Sequence, residues 1–144
     1  MLKRVLLGLV VGCGLAAVHA EEPKVGGVVN AVIQPEPPGL MLAMVQNGPT
    51  QMVSGNIFEG LLRYSPKLEP LPGLAESWTI SPDAKVYTFK LKPGVTWHDG
   101  KPFTADDCVF TWEYARNPAT AATTSGSYKD VTVEKIDDFT VKVT

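Results

Sequence analysis

Histidine and cysteine are nearly absent from this chain. Its 144 residues hold two of each, His19 and His98, Cys13 and Cys108. His19 and Cys13 fall in a leader-like stretch, so the rest of the chain has one imidazole and one thiol. That is too little for a His-rich zinc site, a triad with a spare imidazole or an internal disulfide. A basic excess is also lacking: 13 Lys and Arg face 15 Asp and Glu, a formal charge of −2. Without Lys3 and Arg4 the balance is −4, which gives no field for a run of phosphates, and nucleic acid is not an expected partner. No glycine-rich phosphate loop of the GxxxxGK or GxGxxG type occurs.

The longest apolar run, Val5 to Val18, follows Lys3 and Arg4 and is broken only by Gly, Ala and Cys. It is shorter than the ~18 residues of a spanning helix. Val18-His19-Ala20 places small side chains where signal peptidase requires them, so residues 1–20 form a secretory signal with cleavage after Ala20. Val10-Val11-Gly12-Cys13 offers a second reading, lipid attachment at Cys13. The short run it leaves, Val5 to Val10, weighs against it. Either route exports the product, and the periplasm is the expected compartment.

What is present is an α/β pattern. The β-branched run Gly26 to Ile33 predicts a strand, stopped by Pro35, Pro37, Pro38 and Gly39. Thr50 is placed to cap a helix from about Gln51 to Leu62, with Val53, Ile57 and Leu61 spaced at i+4. Ser65 to Gly73 is rich in proline and predicts a linker. Ser77 to Ile80 and Lys85 to Leu91 predict a hairpin about Ser81-Pro82-Asp83-Ala84, with Tyr87, Phe89 and Leu91 on one face. Val95 to Trp97 predicts a third short strand, closed by the turn chemistry of Asp99-Gly100.

Thr104 and Asp107 form a capping-box variant that opens a helix from Ala105 to about Arg116, and Asn117-Pro118 ends it. Cys108, Val109, Trp112 and Ala115 line one side, with Phe110 and Tyr114 widening it. Ala119 to Ser127 is poor in large apolar groups and predicts an exposed loop. Val131 to Val133 and Phe139 to Val143 predict a second hairpin about Asp137-Asp138. The pattern stops within a strand, so the chain is expected to be the front of a longer polypeptide.

Each chemically suggestive group has a structural explanation. His98 sits in a turn beside Asp99, and Cys108 lies on an apolar helix side where a thiol acts as a small hydrophobe. Asp106-Asp107 sits at a helix start and Asp137-Asp138 at a turn, where acids are at home. Trp78, Trp97 and Trp112 fall in periodic elements and are expected to pack. No catalytic residue, metal ligand or cofactor is assigned.

The blocks Asn56-Ile57-Phe58-Glu59-Gly60-Leu61-Leu62, Leu74-Ala75-Glu76-Ser77-Trp78 and the long stretch Tyr87 to Asp107 (YTFKLKPGVTWHDGKPFTADD) occur in this order. With them the chain resembles the family 5 extracellular solute-binding proteins, the peptide- and nickel-type receptors of ABC importers. The resemblance implies the front part of a two-lobed periplasmic-binding-protein fold, with mixed sheets and packed helices. Residues 21–57 would begin the ligand-binding lobe, and residues 58–144 would belong to a small inserted α/β domain, incomplete here. It implies a non-enzymatic monomer that takes a peptide or other small solute and delivers it to an ABC permease complex in the inner membrane. Ligand contacts in such relatives include the loop before the first helix and the loop after the helix ending at Asn-Pro. Here these are Gln46 to Thr50 and Thr123 to Tyr128, with Gln46, Asn47, Gly48, Thr50 and Ser125 as the candidate groups. Two other readings stand beside it: an exported β-rich interaction module complete at Thr144, and an exported hydrolase whose catalytic part lies downstream.

Overall fold

A computed structural model describes residues 25–144, so the signal sequence and the Cys13 reading lie outside the described residues. These residues divide into two units with the boundary after Ala31. The described part of the first, residues 25–31, carries no regular element. Val28 and Val29 are exposed and Gly26 and Gly27 have positive φ. The strand predicted over Gly26 to Ile33 is therefore not formed. Strand propensity produces a strand only where a neighbour accepts its N–H and C=O groups, and no described strand pairs with this segment.

In the second unit, Val32–Thr144, helix α1 spans Gly48–Ser54. It begins earlier than predicted because Asn47, not Thr50, is the N-cap: Asn47 Oδ1 accepts from the Thr50 N–H at 2.9 Å, and Pro49 sits in the first turn. It ends at Gly55 rather than Leu62. The apolar spacing that suggested a longer helix continues into non-helical chain, where Ile57 and Phe58 are exposed.

The predicted linker is a hairpin. Strands β1, Leu62–Tyr64, and β2, Pro70–Pro72, pair antiparallel with Arg63 opposite Leu71. Pro70 and Pro72 are two residues apart, so both missing N–H groups lie on the side of β2 that faces away from β1, and the pairing loses nothing. Ser65 closes the turn: its N–H donates to Glu69 O at 2.9 Å, and its hydroxyl oxygen accepts from the N–H groups of Lys67 and Glu69, each at 3.1 Å.

Strands β3, Ala75–Ile80, β4, Tyr87–Leu91, β5, Val133–Asp137, and β6, Thr140–Val143, make one antiparallel sheet in the order β3-β4-β6-β5. Both predicted hairpins are present, the second with its first strand over Val133–Asp137 rather than Val131 to Val133. The β4 alternation holds: Phe89 and Leu91 are buried while Lys90 is exposed. Phe89 lies opposite Val141, and Tyr87 opposite Val143. Helix α2, Ala105–Arg116, matches the predicted bounds and lies against β5 and β6. The Asp107 carboxylate accepts from the Thr104 N–H at 2.8 Å, and Asn117, in extended conformation before Pro118, ends the helix. The core joins Leu91, Phe103, Ala105 and Val141, with Leu61, Leu74, Val95, Cys108, Val133 and Val143 packed against it.

Three further expectations are corrected. Val95 to Trp97 forms only a single bridge, Thr96 to Pro102, because Gly100, at φ +84°, turns the chain back at once. Phe110 and Tyr114 are exposed; one turn apart on the outer side of α2, their rings meet tilted by 31° at 5.8 Å between centroids instead of widening the apolar side. The loop after α2 is not merely exposed, for it holds two short 3₁₀ turns, Pro118–Thr120 and Ser125–Tyr128, with Ala122 and Thr124 buried between them.

Candidate functional site

Helix α1 places two hydroxyls four residues apart, hence on one side. Both are fully buried and both turn back onto the preceding chain: Thr50 Oγ1 donates to Gly39 O at 3.0 Å, and Ser54 Oγ donates to Leu40 O. A turn follows at once, with the N–H groups of Met44 and Val45 donating to Met41 O at 3.0 and 3.1 Å. The loop after α2 then reaches across about 80 residues of sequence. The Thr123 N–H and hydroxyl donate to Met44 O at 2.9 and 3.0 Å, and Thr124 Oγ1 donates to Ala43 O. Four hydroxyls, those of Thr50, Ser54, Thr123 and Thr124, thus donate to the carbonyls of residues 39, 40, 44 and 43 respectively. An intramolecular hydrogen bond contributes ~1 kcal/mol net, so together these four favour one path for the loop.

The loop after α2, one of the two segments singled out from the sequence, is therefore brought to a junction at Ala43-Met44, two residues before the other, Gln46 to Thr50; among the described residues no hydrogen bond joins Ser125 to Gln46, Asn47, Gly48 or Thr50. Gln46 is exposed. Asn47 is half-buried; its Oδ1 is committed to the helix cap, which leaves its amide nitrogen. Gly48 is exposed in the first turn of α1. Thr50 is wholly buried and its hydroxyl already donates, so its contribution is to position the loop. Ser125 is half-buried, and its hydroxyl makes no hydrogen bond among the described residues. Sequence reasoning missed Ser54, Thr123 and Thr124 as the groups that build the junction. The i,i+4 spacing of Thr50 and Ser54 was the available signal. The pairing across to Thr123 and Thr124 had none.

Of the other chemically suggestive side chains, Cys108 and Trp112 are held in packing, while His98 and Trp97 are exposed. Cys108 lies against the core, and burial pushes its thiol up to about 11, with the Asp107 carboxylate adding to the effect. His98 is exposed in its turn. Trp97 meets Phe103 edge to face at 5.9 Å, and Trp112 Nε1 donates to Val131 O at 2.9 Å. Trp78 is half-buried in β3.

Residues 69–144 match the middle segment of the bacterial extracellular solute-binding proteins, family 5. The oligopeptide-binding protein OppA of Bacillus subtilis is 32% identical over 92% of this chain and 27% of its own length. Among solved structures, Haemophilus influenzae OppA in complex with RPPGFSPFR is 33% identical with a TM-score of 0.70, over 75% of this chain and 25% of that one. NikZ from Campylobacter jejuni in complex with Ni(L-His) is 38% identical with a TM-score of 0.60, over 64% of this chain and 19% of that one. The chain spans about a quarter of the length of the relatives it matches. Its fold is that of part of a two-lobed periplasmic binding protein, and its relatives are solute-binding proteins rather than enzymes. With more than half its residues matched, the chain belongs to the family 5 bacterial extracellular solute-binding proteins.

Proposed function

We propose that this chain is part of the substrate-binding component of an ABC importer, exported past the inner membrane by residues 1–20, where it captures a peptide or similar small solute and delivers it to a permease. The observation that carries this reading is the hydroxyl-built junction, which supports Gln46, Asn47, Gly48 and Ser125 as one wall of a ligand cleft with Thr50 anchoring it. These groups suit the main chain of an extended peptide: amide and hydroxyl donors on a rigid loop, and backbone open at Gly48. A second lobe closing over the solute would exchange its water for fixed hydrogen bonds, and closure would be favourable only where the trapped polar groups are paired. Residues 21–57 fit the opening of the ligand-binding lobe and residues 58–144 a smaller scaffold domain.

The reading is tested on the full-length exported protein. Native mass spectrometry of the purified protein is expected to show a co-purifying small solute, and calorimetry with that solute is expected to show tight 1:1 binding without chemical change. Release of a chemically altered product would falsify the proposal.

A further inference from the structure

We propose that the cavity between the end of α2 and the Ser125–Tyr128 turn is a binding site for an oxyanion, a carboxylate or a phosphate group. It measures about 290 Å³ and is lined by Arg116, Pro118, Ser125, Gly126 and Lys129. Every polar side chain in that lining is a hydrogen-bond donor, two of them cationic, and no carboxylate is among them. In a chain of net negative charge, this is a local reversal of sign.

Among the described residues no ion pair involves Arg116 or Lys129, although Glu113 and Asp130 are close in sequence. Arg116 is held in place: its guanidinium carbon lies 4.5 Å from the Trp112 ring centroid, and Trp112 is itself pinned by its bond to Val131 O. A guanidinium held over an aromatic face still carries N–H groups that can serve an oxyanion. The Ser125 hydroxyl and the Gly126 N–H make no hydrogen bond among the described residues, and Gly126 is exposed, with nothing within 4 Å of where its Cβ would stand.

One competing explanation is that Arg116 only offsets the negative end of α2. At that end Tyr114 O accepts from the Asn117 N–H, Asn117 O accepts from the Thr120 N–H, and the single proton of the Thr120 hydroxyl is shared between these two carbonyls. Arg116 can serve that end as well, and R116K separates the two roles because it keeps the charge and loses the planar fork. The site shares Ser125 with the proposed ligand wall but stands without that reading, because it is defined by simple anions.

The experiment is a titration of ¹⁵N-glycine-labelled full-length protein, followed by the Gly126 amide signal at constant ionic strength. Inorganic phosphate is used in one arm and succinate in the other. We expect a saturable Gly126 shift with half-saturation near ~1 mM, in the range of a few charge-assisted hydrogen bonds. K129E, at an exposed position that leaves the fold intact, should weaken it at least ~10-fold, and R116Q should do the same while R116K retains part of it. The arm that saturates first names the preferred group. A shift that only tracks sodium chloride, or half-saturation unchanged in both K129E and R116Q, would overturn the proposal, whatever solute the whole protein is found to capture.

Discussion

At the residue scale, a few close approaches bear much of the structure. Gly73 is the clearest: a Cβ there would lie 2.4 Å from Gly60 O and 2.9 Å from Leu61 O, both backbone atoms that cannot swing aside. Gly73→Ala is therefore expected to destabilise by ~1–3 kcal/mol, measured by denaturant unfolding, and to disturb the β1–β2 hairpin that Gly73 closes through its bond to Leu61 O. Leu91→Ala removes a side chain that is 1% exposed and should cost ~2–5 kcal/mol by the same measurement. The Cys108 thiol, pushed up to about 11 chiefly by burial, stays protonated at neutral pH. Alkylation at pH 8 should be slow in the native protein and fast after unfolding, as followed by mass spectrometry. Rapid native labelling would contradict the packing role.

At the element scale, α2 and the β5–β6 turn are tied by one lysine. Lys135 Nζ lies 2.7 Å from both Asp106 Oδ2 and Asp138 Oδ1, and the Ala105 N–H donates to Asp138 O at 2.9 Å. Hydrogen bonds to Asp106 and Asp138 raise the lysine above its ordinary 10.5, so this contribution is complete below that pH and is lost as pH rises through the folded value. Lys135→Met should lower the melting temperature in dilute buffer, and the gap from wild type should narrow at about 1 M salt, where screening acts over about 3 Å. On the acid side, the Thr140 hydroxyl and the Phe139 N–H hold Asp137 below its ordinary 3.8. A depressed carboxylate stabilises above the unfolded value and loses that effect as pH falls through the folded one. Asp137→Asn should therefore flatten the stability decline below about pH 4, as read from thermal melts across a pH series.

At the scale of the whole molecule, the same α/β layers serve as support for two loops. With residues 46–50 and Ser125 as one wall of a cleft, residues 21–144 alone should bind the solute of the full-length protein at least ~100-fold more weakly, since enclosure contributes most of a buried ligand's contacts. Calorimetry on both forms checks this. Equal affinity would mean that one wall is sufficient and that closure has no part in capture.

What could be read without coordinates was local. The capping pair Thr104 and Asp107, the stop at Asn117-Pro118 and the alternation of Tyr87, Phe89 and Leu91 place their signals within a few residues of the element they define, so α2 and both hairpins of the main sheet were legible. The resemblance carried by the Tyr87 to Asp107 stretch was equally a property of sequence. Only the tertiary structure decided that the valines of residues 28–32 find no pairing partner among the described strands, that Pro70 and Pro72 turn their missing N–H groups outward in a hairpin, and that Thr123 and Thr124 meet Met44 and Ala43. Each of those outcomes depends on a hydrogen-bond partner remote in the chain or on which side of a strand faces it, and propensity and spacing carry no record of either.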